Sequence, residues 1–262
     1  MASGANDNSI KIWDTTSSAL ITTLTGHTNF VNELVVLNNG DLASGSTQDG
    51  KIKIWQSPGW ALKYTLSTQD MVYALGLLSN GYLVCGLQNN DIQIWNGVSG
   101  TMVSSKVSPH GDSIYSIATF SNGYFATGSK DTTIKVWYSN LTLIFTLNGH
   151  SNTVNSLVFL PNGNLVSGAQ DTNIKIWDMN TGSLIFTIVG HGGAVNSLIL
   201  LSNNDLASGS SDSTIKVWDT SNWSSNSKLT IPFSAGSIVY SMALLGSGEL
   251  ACGVNTQIYV YS

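Results

Sequence analysis

The chain of 262 residues contains no arginine. All ten basic residues are lysine, and charged residues make up only 10% of the chain, well below the usual quarter. Arginine is the favoured anchor for phosphate groups and at protein interfaces. Its absence, with a net charge of -5, argues against a nucleic-acid surface. Cysteine is also scarce. Cys85 and Cys252 alone make neither a disulfide framework nor a metal-binding spacing, and no motif points to a cofactor. No apolar run approaches the roughly 18 residues of a membrane span. The opening "MASGANDNSIKIWD" lacks the basic and hydrophobic regions of a signal peptide. The expected setting is cytoplasmic, with nuclear as the alternative. The sequons at Asn140 and Asn222 carry no weight without a secretory signal.

What the chain has is apolar residues, 42%, enough for one large all-β domain or two small ones, and a repeated phrase. "SGSSDSTIKVWDT" (208–220) returns as "SGANDNSIKIWDT", "TGSKDTTIKVWYS" and "SGAQDTNIKIWDM". Aligned on the closing aromatic, the copies place Trp13, Trp55, Trp95, Trp137, Trp177, Trp218 and Tyr261 at intervals of 40 to 43 residues. A catalytic centre is built once, whereas a phrase written many times is architecture. The period is that of a four-stranded propeller blade.

The unit from Gly149 shows why. "VNSLVFL" alternates apolar and polar residues, as a strand does. "PNGN" is an Asn-Gly turn. "LVSGA" is a second strand whose Gly168 admits a close neighbour, "IKIWD" a third and "SLIFTI" a fourth. No helical period is present. One such sheet cannot bury both of its faces, so the blades are stable only when stacked. The expected fold is a seven-bladed β-propeller of four-stranded antiparallel blades in a single domain. Its blades run over residues 1–24, 30–66, 71–106, 113–147, 153–188, 195–232 and 237–262. The first lacks its inner strand and the last its outer strand, giving 26 strands. The ragged ends suggest a fragment of a larger protein with an open seam. A six-bladed ring would displace residues 1–14 and expose Ile10, Ile12 and Trp13; the loss of apolar burial argues against it.

Gly-His opens units at Gly26-His27, Gly149-His150 and Gly190-His191, and Trp-Asp closes them at Asp14, Asp178 and Asp219. The chain therefore resembles the WD40 repeat family of β-propellers over nearly its whole length. The resemblance implies a structural hydrogen-bond network in each complete blade. Its members are His27, Ser44, Asp49 and Trp55; His110, Thr127, Asp131 and Trp137; His150, Ser167, Asp171 and Trp177; His191, Ser208, Asp212 and Trp218. Four equivalent copies are not a hydrolase triad, which needs one exposed nucleophile beside an oxyanion hole. No catalytic or metal-ligating residue is assigned. Two units depart together: Cys85 with Asn89, and Cys252 with Asn255, replace the serine and aspartate, and both units lack the histidine. Loss of the network in both is the simpler reading, since cysteine packs where no hydroxyl partner remains.

The resemblance also implies a non-enzymatic protein-protein interaction scaffold that meets proteins or peptides on one face. The candidate partner-binding residues are Phe30, Met71, Tyr73, Tyr115, Tyr240, Gln48, Gln88, Lys130 and Gln170. Tyrosine makes a good anchor and amides adapt to backbone groups. The column of Asn32, Tyr73, Tyr115, Asn155, Asn196 and Tyr240 is expected near the central channel mouth. The lysine column (Lys11, Lys53, Lys135, Lys175, Lys216) reads as solvated and near an edge. The two glutamates, Glu33 and Glu249, read as peripheral. A monomer is expected, with edge pairing at the seam as its hazard. The alternative function is a carbohydrate-binding, lectin-like propeller using Asn, Asp and aromatic residues between blades.

Overall fold

A computed structural model of the chain describes residues 1–261; Ser262, where the last blade was expected to end, lies outside them. The described residues form 26 strands and no helix, arranged as seven antiparallel sheets. The fold is a seven-bladed β-propeller. Five sheets have four strands. The first (Ala2–Gly4, Ile10–Trp13, Leu20–Leu24) and the last (Val239–Leu244, Leu250–Val254, Gln257–Tyr261) have three. Ile10 and Ile12 are buried and paired on both sides, so residues 1–14 are not displaced as a six-bladed ring would require.

The chain divides into two compact units, residues 1–127 with 136–144, and residues 128–135 with 145–262. Blades 1 to 3 belong to the first and blades 5 to 7 to the second.

Blade 5 shows how the repeat folds. Its strands are Val154–Phe159, Leu165–Ala169, Asn173–Asp178 and Ser183–Val189, each paired with the next. The second strand is buried along its whole length. In the third, Ile174, Ile176 and Trp177 are buried, each contributing roughly 1.5–3 kcal/mol. A Cβ on Gly168 would come 2.5 Å from Val195 Cγ1, on the inner strand of blade 6. The "SG" of the phrase is thus the point where one blade receives the next. Gly209 receives Val239 in the same unit, and Gly45 receives Val72 in the other.

Two expectations are corrected. The lysine column is not uniformly solvated: Lys53 and Lys175 are buried, while Lys11, Lys135 and Lys216 are partly exposed. The third strand is no edge, because the outer strand covers it. The lysine stems lie against the blade, and Nζ of Lys53, Lys135 and Lys175 donates to Thr65, Thr146 and Thr187 on that outer strand at 3.2, 3.0 and 3.0 Å. This is snorkelling along a packed surface. Glu33 is not peripheral. It lies on the inner strand Val31–Val36 of blade 2, just after a bulge between Val31 and Glu33 that the alternation pattern alone cannot reveal.

Candidate binding face

The four network sets are assembled by strands that the repeat places side by side. In blade 5, Trp177 Nε1–H donates to Ser167 Oγ at 2.8 Å. His150 contacts Ser167 Oγ through Nε2 and Asp171 Oδ2 through Nδ1, both at 2.8 Å. Blades 2 and 6 repeat this with His27 and His191 within 0.1 Å. In blade 4, His110 Nε2 and Trp137 Nε1 meet Thr127 Oγ1 at 2.7 and 2.9 Å, and Asp131 Oδ1 accepts the Thr133 N–H at 2.8 Å. A neutral imidazole closes the chain: Trp N–H to Ser, Ser O–H to His Nε2, His Nδ1–H to Asp. Burial holds the His27 and His191 imidazoles below the usual value, against the pull of Asp49 and Asp212. Burial would raise Asp212, but bonds from the Thr214 hydroxyl, the Gly192 N–H and His191 outweigh it and bring the carboxyl down to about 2. Asp171 is lowered in the same way by His150 and the Ser151 and Asn173 N–H groups.

This geometry copies the order of a Ser-His-Asp triad without its chemistry. Ser44, Ser167 and Ser208 have no exposed surface, and each hydroxyl oxygen already accepts a tryptophan N–H. No substrate carbonyl reaches them. The glycine ahead of the histidine is part of the same packing. Gly149 has φ +158°, and a Cβ there would meet the Trp177 ring at 3.1 Å.

Blade 3 is rewired rather than degraded. Cys85 is buried, and burial pushes its thiol up to about 12 against the pull of the Gln93 backbone and the Trp95 side chain; its sulfur is a weak acceptor in place of the serine oxygen. Trp95 Nε1–H donates instead to Gln93 Oε1 at 3.1 Å, and Gln93 Nε2–H donates to Thr68 O at 3.1 Å. Thr68 occupies the histidine position and its hydroxyl bonds Asp70 O at 2.7 Å. Sequence reasoning missed Gln93, although the signal was present: it stands where five other blades have the column lysine. In blade 7, Phe233 packs edge-on against Tyr259 and Tyr261, centroids 5.3 and 6.3 Å apart, and an aromatic cluster replaces the polar set. In blade 1, Trp13 Nε1–H donates to Ser3 Oγ at 2.9 Å.

Of the candidate face residues, six lie in the first unit. Gln48 and Met71 line one groove of about 350 Å³ with Asp49, Lys51, Gln69 and Asp70. The Gln88 N–H donates to Met71 O at 3.0 Å, and Tyr73 OH points to Met71 Sδ at 3.7 Å. Tyr73 stacks on Tyr115, centroids 4.8 Å apart, so both are half-buried rather than free. Phe30 is exposed at the head of its inner strand. Lys130, Gln170 and Tyr240 belong to the second unit, all exposed. The column expected at the channel mouth is split. Asn155 and Asn196 are structural ties, donating to Val195 O at 3.2 Å and Val239 O at 3.0 Å on the following blade. Among the described residues no three His, Cys, Asp or Glu side chains gather to hold a metal.

The described geometry can be set beside known proteins. The WD40 family model, "WD domain, G-beta repeat", matches residues 18–56, 102–138, 141–178 and 182–219, more than half of the chain. The chain is 29% identical over 96 residues to the small ribosomal subunit protein RACK1y of Oryza sativa subsp. japonica, covering 37% of this chain and 29% of that protein. It is 30% identical over 90 residues to the small ribosomal subunit protein RACK1 of Caenorhabditis elegans, covering 34% and 28%. The matched stretch spans less than a third of either relative's length. With repeated blades, phrase and family match in agreement, the chain belongs to the WD40 family of G-beta repeat proteins.

Proposed function

We propose that this chain is a non-enzymatic scaffold that binds proteins or peptides in the cytoplasm. One observation carries the reading. All four histidines, and the serine or threonine that each contacts, are used up inside the blades. What remains outside is a set of side chains on the turns and inner strands: Phe30 and Met71 differ at one repeat position, Gln48, Gln88, Lys130 and Gln170 are mostly amide at a second, and Tyr240 stands at a third. Variation on a constant frame suits recognition rather than catalysis. Two relatives carry names that place them with the small ribosomal subunit, which makes that particle the first place to seek partners. Without arginine, its proteins are better suited to this chain than its phosphates. The test is affinity capture with the wild-type chain and with Tyr73, Tyr115 and Tyr240 changed to alanine. A specific protein set lost in the variant supports the reading. A wild-type chain that captures nothing above a neutral control overturns it.

A further inference from the structure

Blades 2 and 3 carry a groove at each end. In an antiparallel blade the turns after the first and third strands lie at one end. The turn after the second strand and the loop to the next blade lie at the other, and there Gln48 and Met71 line the groove already described. At the first end lies another of about 400 Å³, lined by residues 37–39, 80–82, 96 and 98. None of these is charged, whereas Asp49, Lys51 and Asp70 line the groove at the far end. The fold fixes the walls. Leu37 of blade 2 is seated on Gly97 of blade 3, where a Cβ would come 2.9 Å from Leu37 Cδ1. The Asn38 amide crosses the same boundary: a Cβ on Gly81, which turns at φ +83°, would meet its Nδ2 at 3.2 Å. The polar groups are oriented as well. Asn80 Oδ1 accepts the Tyr82 N–H at 3.1 Å, and Asn96 Oδ1 accepts the Val98 and Ser99 N–H groups at 2.9 and 3.1 Å. A backbone N–H can only donate, so each oxygen is turned inward and each NH2 outward. Among the described residues neither NH2 has a partner, and the Asn38 amide makes no hydrogen bond. Asn96 stands where blades 1, 5 and 6 have the Trp-Asp aspartate. Asp14, Asp178 and Asp219 hold their turns through Oδ1 in the same way, but their second oxygen is a charged acceptor. In blade 3 the exchange of that one atom makes it a neutral donor.

We propose that this groove is a second docking site, which takes an extended, uncharged segment of a partner protein through its backbone carbonyls. This rests on reading the chain as a scaffold and adds a second face to it. An NH2 whose oxygen is already engaged can only donate, and a carbonyl oxygen can only accept. A sugar hydroxyl brings a proton that needs an acceptor, whereas Asn39, Asn80 and Asn96 all turn their oxygens to their own backbone. An anion calls for a cation or for donors that converge on it, and these donors are spread over three turns. Spread donors suit an extended chain, whose carbonyls on one side recur at roughly 7 Å. Val98, 55% exposed, offers apolar surface to a side chain of that segment. Walls already in place lower the cost of ordering on binding. The strands between the two grooves have five to seven residues, roughly 17–20 Å, so each end of blades 2 and 3 can hold a partner at the same time.

The probe is a random peptide library displayed on phage and panned on the wild-type chain. The retained peptides should include uncharged ones that Asn96→Asp weakens by about tenfold or more, while Gln48→Ala and Met71→Ala leave them bound. Asn96→Asp keeps the inward oxygen, so its turn should fold as those of Asp14, Asp178 and Asp219 do. Asn140→Asp makes the same exchange on an exposed turn of blade 4 and should change nothing. In the chain labelled with nitrogen-15, such a peptide should shift the Asn80 and Asn96 NH2 signals. Inorganic phosphate and an N-acetylglucosamine trimer, each added separately, should not. If every retained peptide is indifferent to Asn96→Asp, or if phosphate or the sugar moves those signals in place of a peptide, the second site is overturned. Peptides lost with Gln48→Ala or Met71→Ala would then still support the scaffold reading. A library from which nothing is retained overturns both.

Discussion

A single aspartate decides how firmly each turn is held. Asp171 accepts His150, the Ser151 N–H and the Asn173 N–H, and it fixes a turn in which Thr172 sits at φ +70°. Asp171→Asn should lower stability by roughly 1–3 kcal/mol, because charge-assisted bonds become neutral ones. Thermal unfolding measures this, and partner binding away from blade 5 should be unchanged. An unaltered melting temperature with lost binding would make Asp171 a contact residue instead. The buried histidines and Glu33 set opposite pH responses. The folded pKa values of His27 and His191 lie below 6.5, so the unfolded chain protonates first, and stability is lost as pH falls below 6.5. Asp212 adds a further loss between 3.8 and about 2. Glu33 acts the other way: raised from 4.5 to about 8, it costs stability as pH rises through that window. In a Glu33→Gln background the melting temperature should therefore fall steadily below pH 6.5. The gap between variant and wild type should be widest near pH 8 and close near 4.5. A gap that is the same at both ends would show that Glu33 ionises freely.

At the scale of strands and blades, the structure uses two devices, one legible in sequence and one not. The "SG" step is legible as a repeated glycine where bulk is excluded. Gly168→Ala would drive a Cβ into Val195, and overpacking of this kind costs about 1–3 kcal/mol; chemical denaturation should show it. A change below the error of the measurement would mean blade 6 can slide away from its seat. The rewiring of blade 3 was not read, because the replacement comes from a different strand than the residue it replaces. Cys85 signals a lost hydroxyl, but the rescue lies at Gln93. Gln93→Ala should leave the Trp95 N–H only the weakly accepting Cys85 sulfur and cost about 1–3 kcal/mol. Cys85→Ser in the same chain should restore much of it by offering the oxygen that Ser44 gives Trp55 at 2.9 Å. A double-mutant cycle that proves additive would deny that the two side chains serve one N–H. Burial of Lys53 and Lys175 escaped sequence reasoning for a related reason. Alternation tells which face a residue takes, and only the pairing of the outer strand tells that the face is covered.

For the whole molecule, period and phrase carried the fold. Seven aromatics at near-constant spacing anticipated seven sheets, and the incomplete first and last copies anticipated two three-stranded ones. The binding face was less legible, because side chains that touch a partner and side chains that tie neighbouring blades occupy the same column. Asn155 and Asn196 belong to the second kind, and nothing in their identity distinguishes them from Asn32, which is exposed. Composition, by contrast, acts at this scale directly. Ten lysines and no arginine are set against a net charge of -5, and three lysines of the recurring column spend their ammonium groups on outer-strand threonines. Lys63 and Lys228 are held by Asp41 and Asp205 at 3.0 and 2.9 Å. The field left to steer a partner is weak and mixed in sign. Uncharged Gln48, Gln88 and Gln170 dominate the exposed turns. The affinity of a partner should therefore change by less than about tenfold between low and moderate salt, with any change confined to the association rate. Surface plasmon resonance across a salt series would test this, and a steeper loss would require a charged contact surface that the uncharged turns do not provide.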